Sequence, residues 1–183
     1  MVRIGYIIGS TAEDSINQKL ARVLVDQAPE QAEMVHIPIR HLPLYHRDMD
    51  AEFPQEMTDY KQQVADVDGL LVVSPEHNPS FPAAVKNALD ILTRPWGKNI
   101  IEGLPLGIAG ASPGRFGTIN GQSQLRQFLP PLGVKVMGSP LMAVHATRET
   151  FTDDGADEQT TRRAASYMEA FVEFVVRHSR VGD

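Results

Sequence analysis

The stretch Gly69-Leu70-Leu71-Val72-Val73-Ser74-Pro75-Glu76-His77-Asn78-Pro79-Ser80-Phe81-Pro82 sets the fold. Its first five residues carry no polar side chain, the pattern of a strand buried on both faces. Ser74-Pro75 ends the run. Phe81 or Pro82 then opens a helix on which Val85, Ala88, Leu89 and Leu92 align at helical spacing. A fully buried strand leading into an amphipathic helix is one βα unit of a parallel sheet.

The same unit repeats in both directions. Upstream, the apolar run Val2 to Ile8 breaks at Gly9-Ser10-Thr11, and a helix begins near Ser15 with Ile16, Leu20, Val23 and Leu24 on one side. Asp14 or Ser15 can cap it. Met34 to Ile37 reads as a short strand closed by Pro38, and a helix over about Pro54 to Asp66 carries Met57, Tyr60 and Val64. Downstream, Leu104 to Ala111 is a strand running into Ser112-Pro113-Gly114, followed by a helix over Thr118 to Leu129. A weak strand at Val134-Lys135-Val136 and a helix from Asp157 to His178 complete the series. Strict alternation with right-handed crossovers predicts an α/β fold, a doubly wound five-stranded parallel sheet of order 2-1-3-4-5 with helices on both faces. One domain over residues 1–183 is expected, at a length that buries roughly 70% of the unfolded surface. In such sheets ligands sit outside the carboxyl ends of the strands, so the loops after strands one, three and four are where chemistry belongs.

Composition narrows that chemistry. The 17 Lys and Arg against 23 Asp and Glu give a net charge of −6, which supplies no counterion-release attraction to nucleic acid. Cysteine is absent, which excludes disulfides, iron–sulfur ligation, thiolate zinc sites and dithiol redox centres. Any electrons this chain moves must travel on a bound cofactor. No apolar run approaches the roughly 20 residues of a membrane span and no signal-peptide pattern opens the chain, so a cytoplasmic protein is expected. His41, His46 and Asp48 share a loop but lack the i, i+4 spacing of a helical zinc site, and no metal is expected. Gly110-Ala111-Ser112-Pro113-Gly114 matches a hydrolase elbow literally. Pro113, however, has no N–H to give an oxyanion hole, and His178 lies on the final helix.

The three loops offer complementary groups. Gly9 to Asn17 supplies hydroxyls at Ser10, Thr11 and Ser15, the Asn17 amide and the backbone N–H groups of a helix start, Ile16 included. Together they can hold a phosphate without a basic residue. The single Gly9 argues against a dinucleotide fingerprint. Three prolines within Ser74 to Pro82 predict an extended, rigid backbone able to present N–H groups to the edge of a flat heteroaromatic ring. Ala111 to Thr118 adds Gly114 and Gly117 for close approach, with Arg115 and Phe116 between them. Phosphate at the first loop and a ring between the other two is the footprint of FMN.

These residues resemble those of the NADPH-dependent FMN reductase family, which includes chromate and quinone reductases and several azoreductases. The match runs through Gly9-Ser10 with Ser15 and Asn17, Leu42-Pro43-Leu44-Tyr45 with Asp48, and Ser74 to Pro82. It continues through Val85-Lys86-Asn87-Ala88-Leu89-Asp90, Arg94-Pro95, Gly110-Ala111-Ser112, Gly114, Gly117 and Leu125-Arg126, spanning nearly the whole chain. The resemblance implies that Ser10, Ser15 and Asn17 bind the FMN phosphate. It implies that Pro75, Glu76, His77, Asn78 and Ser80 line the isoalloxazine and ribityl chain, and that Ser112, Gly114 and Gly117 close the other side. It further implies NADPH or NADH as donor and ping-pong transfer of hydride to quinones, azo or nitro compounds or free flavin. A homodimer or homotetramer follows, with the Leu42 to Asp48 loop beside a partner's site.

No side-chain general base is needed, since the cofactor carries the hydride. Two departures stand out: Ala12-Glu13-Asp14 where the family has an early Arg, and His77 where it has Tyr. Two carboxylates beside a phosphate weaken its binding unless they point away. The alternative from another class is a flavodoxin-like electron carrier or flavin-binding regulatory module without NAD(P)H turnover.

Overall fold

The computed structural model describes residues 1–152 and 155–179. In chain order the elements are β1 (Val2–Ile8), α1 (Ile16–Asp26), β2 (Ala32–His36), α2 (Gln55–Ala65), β3 (Gly69–Val73), α3 (Ala83–Leu92) and β4 (Pro105–Ser112). They continue with α4 (Ile119–Phe128), β5 (Lys135–Val136), β6 (Met142–His145), β7 (Phe151–Thr152), β8 (Gly155–Ala156) and α5 (Glu158–His178). The sheet is parallel in the order β2-β1-β3-β4-β5, with β6 also pairing β4. This is the expected flavodoxin-like order, and the helix ends fall within two residues of those read from periodicity.

Every residue of β3 is buried, as a central strand covered on both faces requires. On one face α2, α3 and α4 pack Met57, Tyr60, Val85, Leu89 and Leu125 against Ile7, Leu70 and Val72. On the other, α1 and α5 pack Leu20, Leu24, Phe171 and Val175 against Ile4, Leu71 and Val73. Each fully buried aliphatic side chain contributes roughly 1.5–3 kcal/mol against exposure, so the two cores fix the strand ends on which the loops stand. Tyr167 of α5 is buried and donates its hydroxyl to the Ile108 carbonyl at 3.0 Å.

The fifth strand departs from the expected single segment. It comes in two pieces: Lys135–Val136 pairs with Pro105–Leu106, and Met142–His145 pairs with Ala109–Ser112. Gly138-Ser139-Pro140 separates them, and Pro140 has no N–H to give a ladder. The second piece, which flanks the carboxyl end of β4, was not expected from sequence. Nor was the short antiparallel β7–β8 pair preceding α5. Among the described residues no helix is long and apolar enough to cross a membrane.

Candidate active site

At the carboxyl ends of β1, β3 and β4 lies a cleft of about 290 Å³. It draws Ser10, Ser15, Ile16 and Asn17 from the first loop, Pro75, Glu76 and His77 from the second, and Ser112 from the third. Ala12 and Asp14 complete its first wall. The structure thus brings eight of the twelve predicted residues together. Asn78, Ser80, Gly114 and Gly117 lie outside its lining.

The loop after β1 leaves its backbone donors unused. Gly9 N–H still belongs to the sheet, donating to the Val73 carbonyl at 2.8 Å. Beyond it, the N–H groups of Thr11, Glu13, Asp14, Ser15 and Ile16 meet no protein acceptor among the described residues. Ser15 is the α1 N-cap, its Oγ accepting from Asn17 N–H at 3.2 Å. Free donors at the positive end of an 11-residue helix favour an anion. Glu13 turns its carboxylate toward Arg40, Oε1 to guanidinium 3.5 Å, so one of the two suspected carboxylates faces a cation. Asp14 remains at the cleft.

Asn17 has a structural role that the sequence reading did not include. Its side chain is buried and makes two bonds to the β4 backbone: Nδ2 donates to the Ala111 carbonyl and Oδ1 accepts from Ala111 N–H, both at 2.9 Å. β3 last pairs with β4 at Val73↔Ala109, so past that point the Asn17 amide occupies the place of a strand partner. It braces the first loop against the third. One Nδ2–H of the amide is spent on this brace, and the second has no acceptor among the described residues at the cleft that Asn17 lines.

The loop after β3 is also not the extended connection predicted. It folds back on itself: His77 N–H donates to the Ser80 carbonyl at 2.8 Å and Ser80 N–H to the His77 carbonyl at 3.0 Å. Asn78, at φ 48°, takes the left-handed turn that Asn tolerates better than most residues. Glu76 directs its carboxylate away from the cleft to the start of α4, accepting from Gly121 N–H at 2.8 Å and Asn120 Nδ2 at 3.2 Å. Ser80 Oγ donates to Gln124 Oε1 at 2.6 Å. Three prolines and these five bonds to turn and helix make this loop a preformed wall.

The loop after β4 holds its shape through glycine. Gly117 sits at φ 59° against the Val144 backbone, where a Cβ would lie 2.9 Å from the carbonyl. At Gly110 a Cβ would stand 2.1 Å from the Ser74 carbonyl oxygen. Both positions require the missing side chain. Ser112 Oγ accepts from Gly114 N–H at 3.0 Å, and Phe116 is 71% exposed. The Leu42 to Asp48 loop is pinned to α3 by Asn87, which accepts from Tyr45 N–H and donates to the Pro43 carbonyl, both at 2.9 Å. Arg94 lies over the Tyr45 ring at 5.7 Å. Among the described residues no cluster of His, Cys, Asp or Glu could hold a metal.

A row of unpaired N–H groups and two hydroxyls can bind a dianionic phosphate, and two preorganised loops can border a flat ring. The donor set fits FMN. Sequence reasoning did not find Asn17's partner, because the contact joins residues far apart in the chain, nor Arg40, which no motif marks.

Comparison with known proteins agrees. The model of the family described as NADPH-dependent FMN reductase matches residues 2–149. A 2-hydroxy-1,4-benzoquinone reductase of Burkholderia sp is 37% identical over 176 residues, covering 95% of this chain and 96% of that protein. A quinone reductase of Pseudomonas putida is 33% identical over 171 residues, covering 93% and 90%. Among solved structures, FerB, a flavoenzyme NAD(P)H:(acceptor) oxidoreductase from Paracoccus denitrificans, superposes with a TM-score of 0.92 at 32% identity, over 98% of this chain and 100% of that one. With fold, cleft and relatives in agreement, this chain belongs to the NADPH-dependent FMN reductase family of flavin-dependent oxidoreductases.

Proposed function

We propose that the chain holds FMN in the cleft above β1, β3 and β4 and works there as an NAD(P)H-dependent quinone reductase. The observation that carries this reading is the row of unpaired N–H groups at the start of α1, converging with two preformed loop walls. When held there, FMN would supply the hydride carrier between NAD(P)H and a second substrate, in ping-pong order. Ser10 and Ser15 hydroxyls and the N–H groups through Ile16 hold the phosphate. Pro75, the Glu76 backbone, His77 and the Asn78–Ser80 turn border one side of the ring. Ser112, with Gly114 and Gly117 shaping its loop, borders the other.

Asn17 serves by fixing the first loop to the third. The ordering cost of these loops is met on folding, so the ring enters a site already shaped. Quinones, azo or nitro compounds and free flavin are flat acceptors suited to such a site. We further infer one cytoplasmic domain over residues 1–183, assembled as a homodimer or homotetramer. Leu44 and Trp96, 75% and 87% exposed, supply apolar surface for that contact.

The test is the absorbance spectrum of the purified protein before and after anaerobic NADPH. A flavin band that bleaches is expected; a colourless chain that takes up no added FMN overturns the reading. Steady NADPH oxidation with a quinone and no added reductase separates the enzyme from a passive carrier.

A further inference from the structure

A second cleft, of about 400 Å³, opens between the edge strand β2 and helix α1. Its floor is Tyr6 of β1 stacked on His36 of β2, ring centroids 5.0 Å apart and planes 25° from parallel. The two residues are register partners in the sheet, so the pleat itself holds the stack. Burial pushes the Tyr6 phenol up and the His36 imidazole down in pKa, which favours the uncharged form of both rings.

Arg22 of α1 and Arg40 after β2 form the cationic side, and Ser10 and Thr11 close the end nearest the flavin cleft. The Arg22 guanidinium has no hydrogen bond or ion pair among the described residues. Among the described residues Arg40 meets only Glu13, at 3.5 Å, with both side chains mostly in water, a pairing that contributes little.

The uncharged Tyr6–His36 stack can extend onto a purine. Two guanidinium groups beside it suit a phosphate monoester, which they bind through charge-assisted hydrogen bonds. Ser10 lines both this groove and the flavin cleft, so an extended ligand seated here passes beside the FMN phosphate on its way to the ring. We propose that the groove seats the 2′-phosphoadenosine end of the hydride donor and so selects NADPH over NADH. The inference rests on the flavin-reductase reading for the other end of that donor. Arg94 and Arg115, the arginines nearest the recognisable motifs, play no part in it.

The groove can be read without turnover, by calorimetric titration of the full chain with 2′,5′-ADP. Binding that NADPH competes away is expected, weakened roughly tenfold in both Arg22→Gln and Arg40→Gln, the scale of one lost charge-assisted bond. Glu13→Gln, which frees Arg40, is expected to tighten it. In steady state the kcat/KM ratio for NADPH over NADH is expected to fall about as far in the two arginine variants. No binding of 2′,5′-ADP, binding that NADPH does not displace, or equal affinity in wild type and both arginine variants overturns the proposal. Flavin content of the same preparations keeps the two readings apart. A colourless chain with Arg22-dependent 2′,5′-ADP binding sinks the flavin reading and leaves the groove standing. A flavin-loaded chain indifferent to both arginines does the reverse.

Discussion

The loops after β1 and β3 border one cleft by opposite means. The first leaves five N–H groups without a protein acceptor, from Thr11 to Ile16. The second spends most of its polar groups on bracing: His77 and Ser80 exchange two backbone bonds, Glu76 binds the start of α4, and Ser80 binds Gln124, while the N–H groups of Glu76, Asn78 and Phe81 meet no protein acceptor among the described residues. An unsatisfied donor row is tolerable only where solvent or a ligand completes it. A loop braced by its own turn and by α4 is held in shape without a ligand and serves as a rigid border. One loop is therefore built to receive an anion and the other to define shape.

That contrast can be broken at its largest joint first. Asn17→Ala removes both bonds to Ala111 and leaves a buried N–H and carbonyl without partners. We expect a loss of about 3 kcal/mol in urea unfolding. A loss near zero would mean that the brace does not hold the first loop to the third.

Next in size is Ser10→Ala, which takes a hydroxyl from the receiving loop. FMN affinity, followed by flavin fluorescence, is expected to drop about tenfold with stability almost unchanged. Glu76→Ala acts on the braced loop. It is expected to cost about 1 kcal/mol of stability, the size of a lost helix cap, and to affect FMN less than Ser10→Ala. If Glu76→Ala proves the more harmful to FMN, the two loops have been assigned the wrong roles.

The smallest effect lies at the edge strand. Burial lowers the folded pKa of His36 below the ordinary 6.5, so the folded chain binds fewer protons there than the unfolded one. Its contribution is complete above pH 6.5 and declines as pH falls from there toward the folded value. An NMR titration should place the His36 midpoint below 6.5, and Tyr6→Ala, which removes the stacked ring, should move it back up.

Much of this was legible in one dimension. The buried run Gly69–Val73 and the periodic apolar faces of α1, α3 and α5 encode themselves locally, because strand and helix periods are properties of consecutive residues. Ser15 as N-cap and Ser10 at the cleft were readable for the same reason. The break in the fifth strand was marked by Gly138 and Pro140, yet its continuation at Met142–His145 was fixed by the free flank of β4. The turn at Asn78 hid behind prolines that suggested extension, because its two closing bonds depend on the fold of the loop and not on any one residue's preference.

The sequence by itself determined the alternation of elements, the order of the sheet and the edge at which ligands belong, since hydrophobic period and right-handed crossover leave few other arrangements. Only the tertiary structure decided which polar groups remain available there. Asn17 is spent on Ala111, Glu76 on α4, and Glu13 faces Arg40, while the donors between Thr11 and Ile16 stay free. The reason is physical: a hydrogen bond is settled by distance and direction in space, and its partner can stand anywhere along the chain.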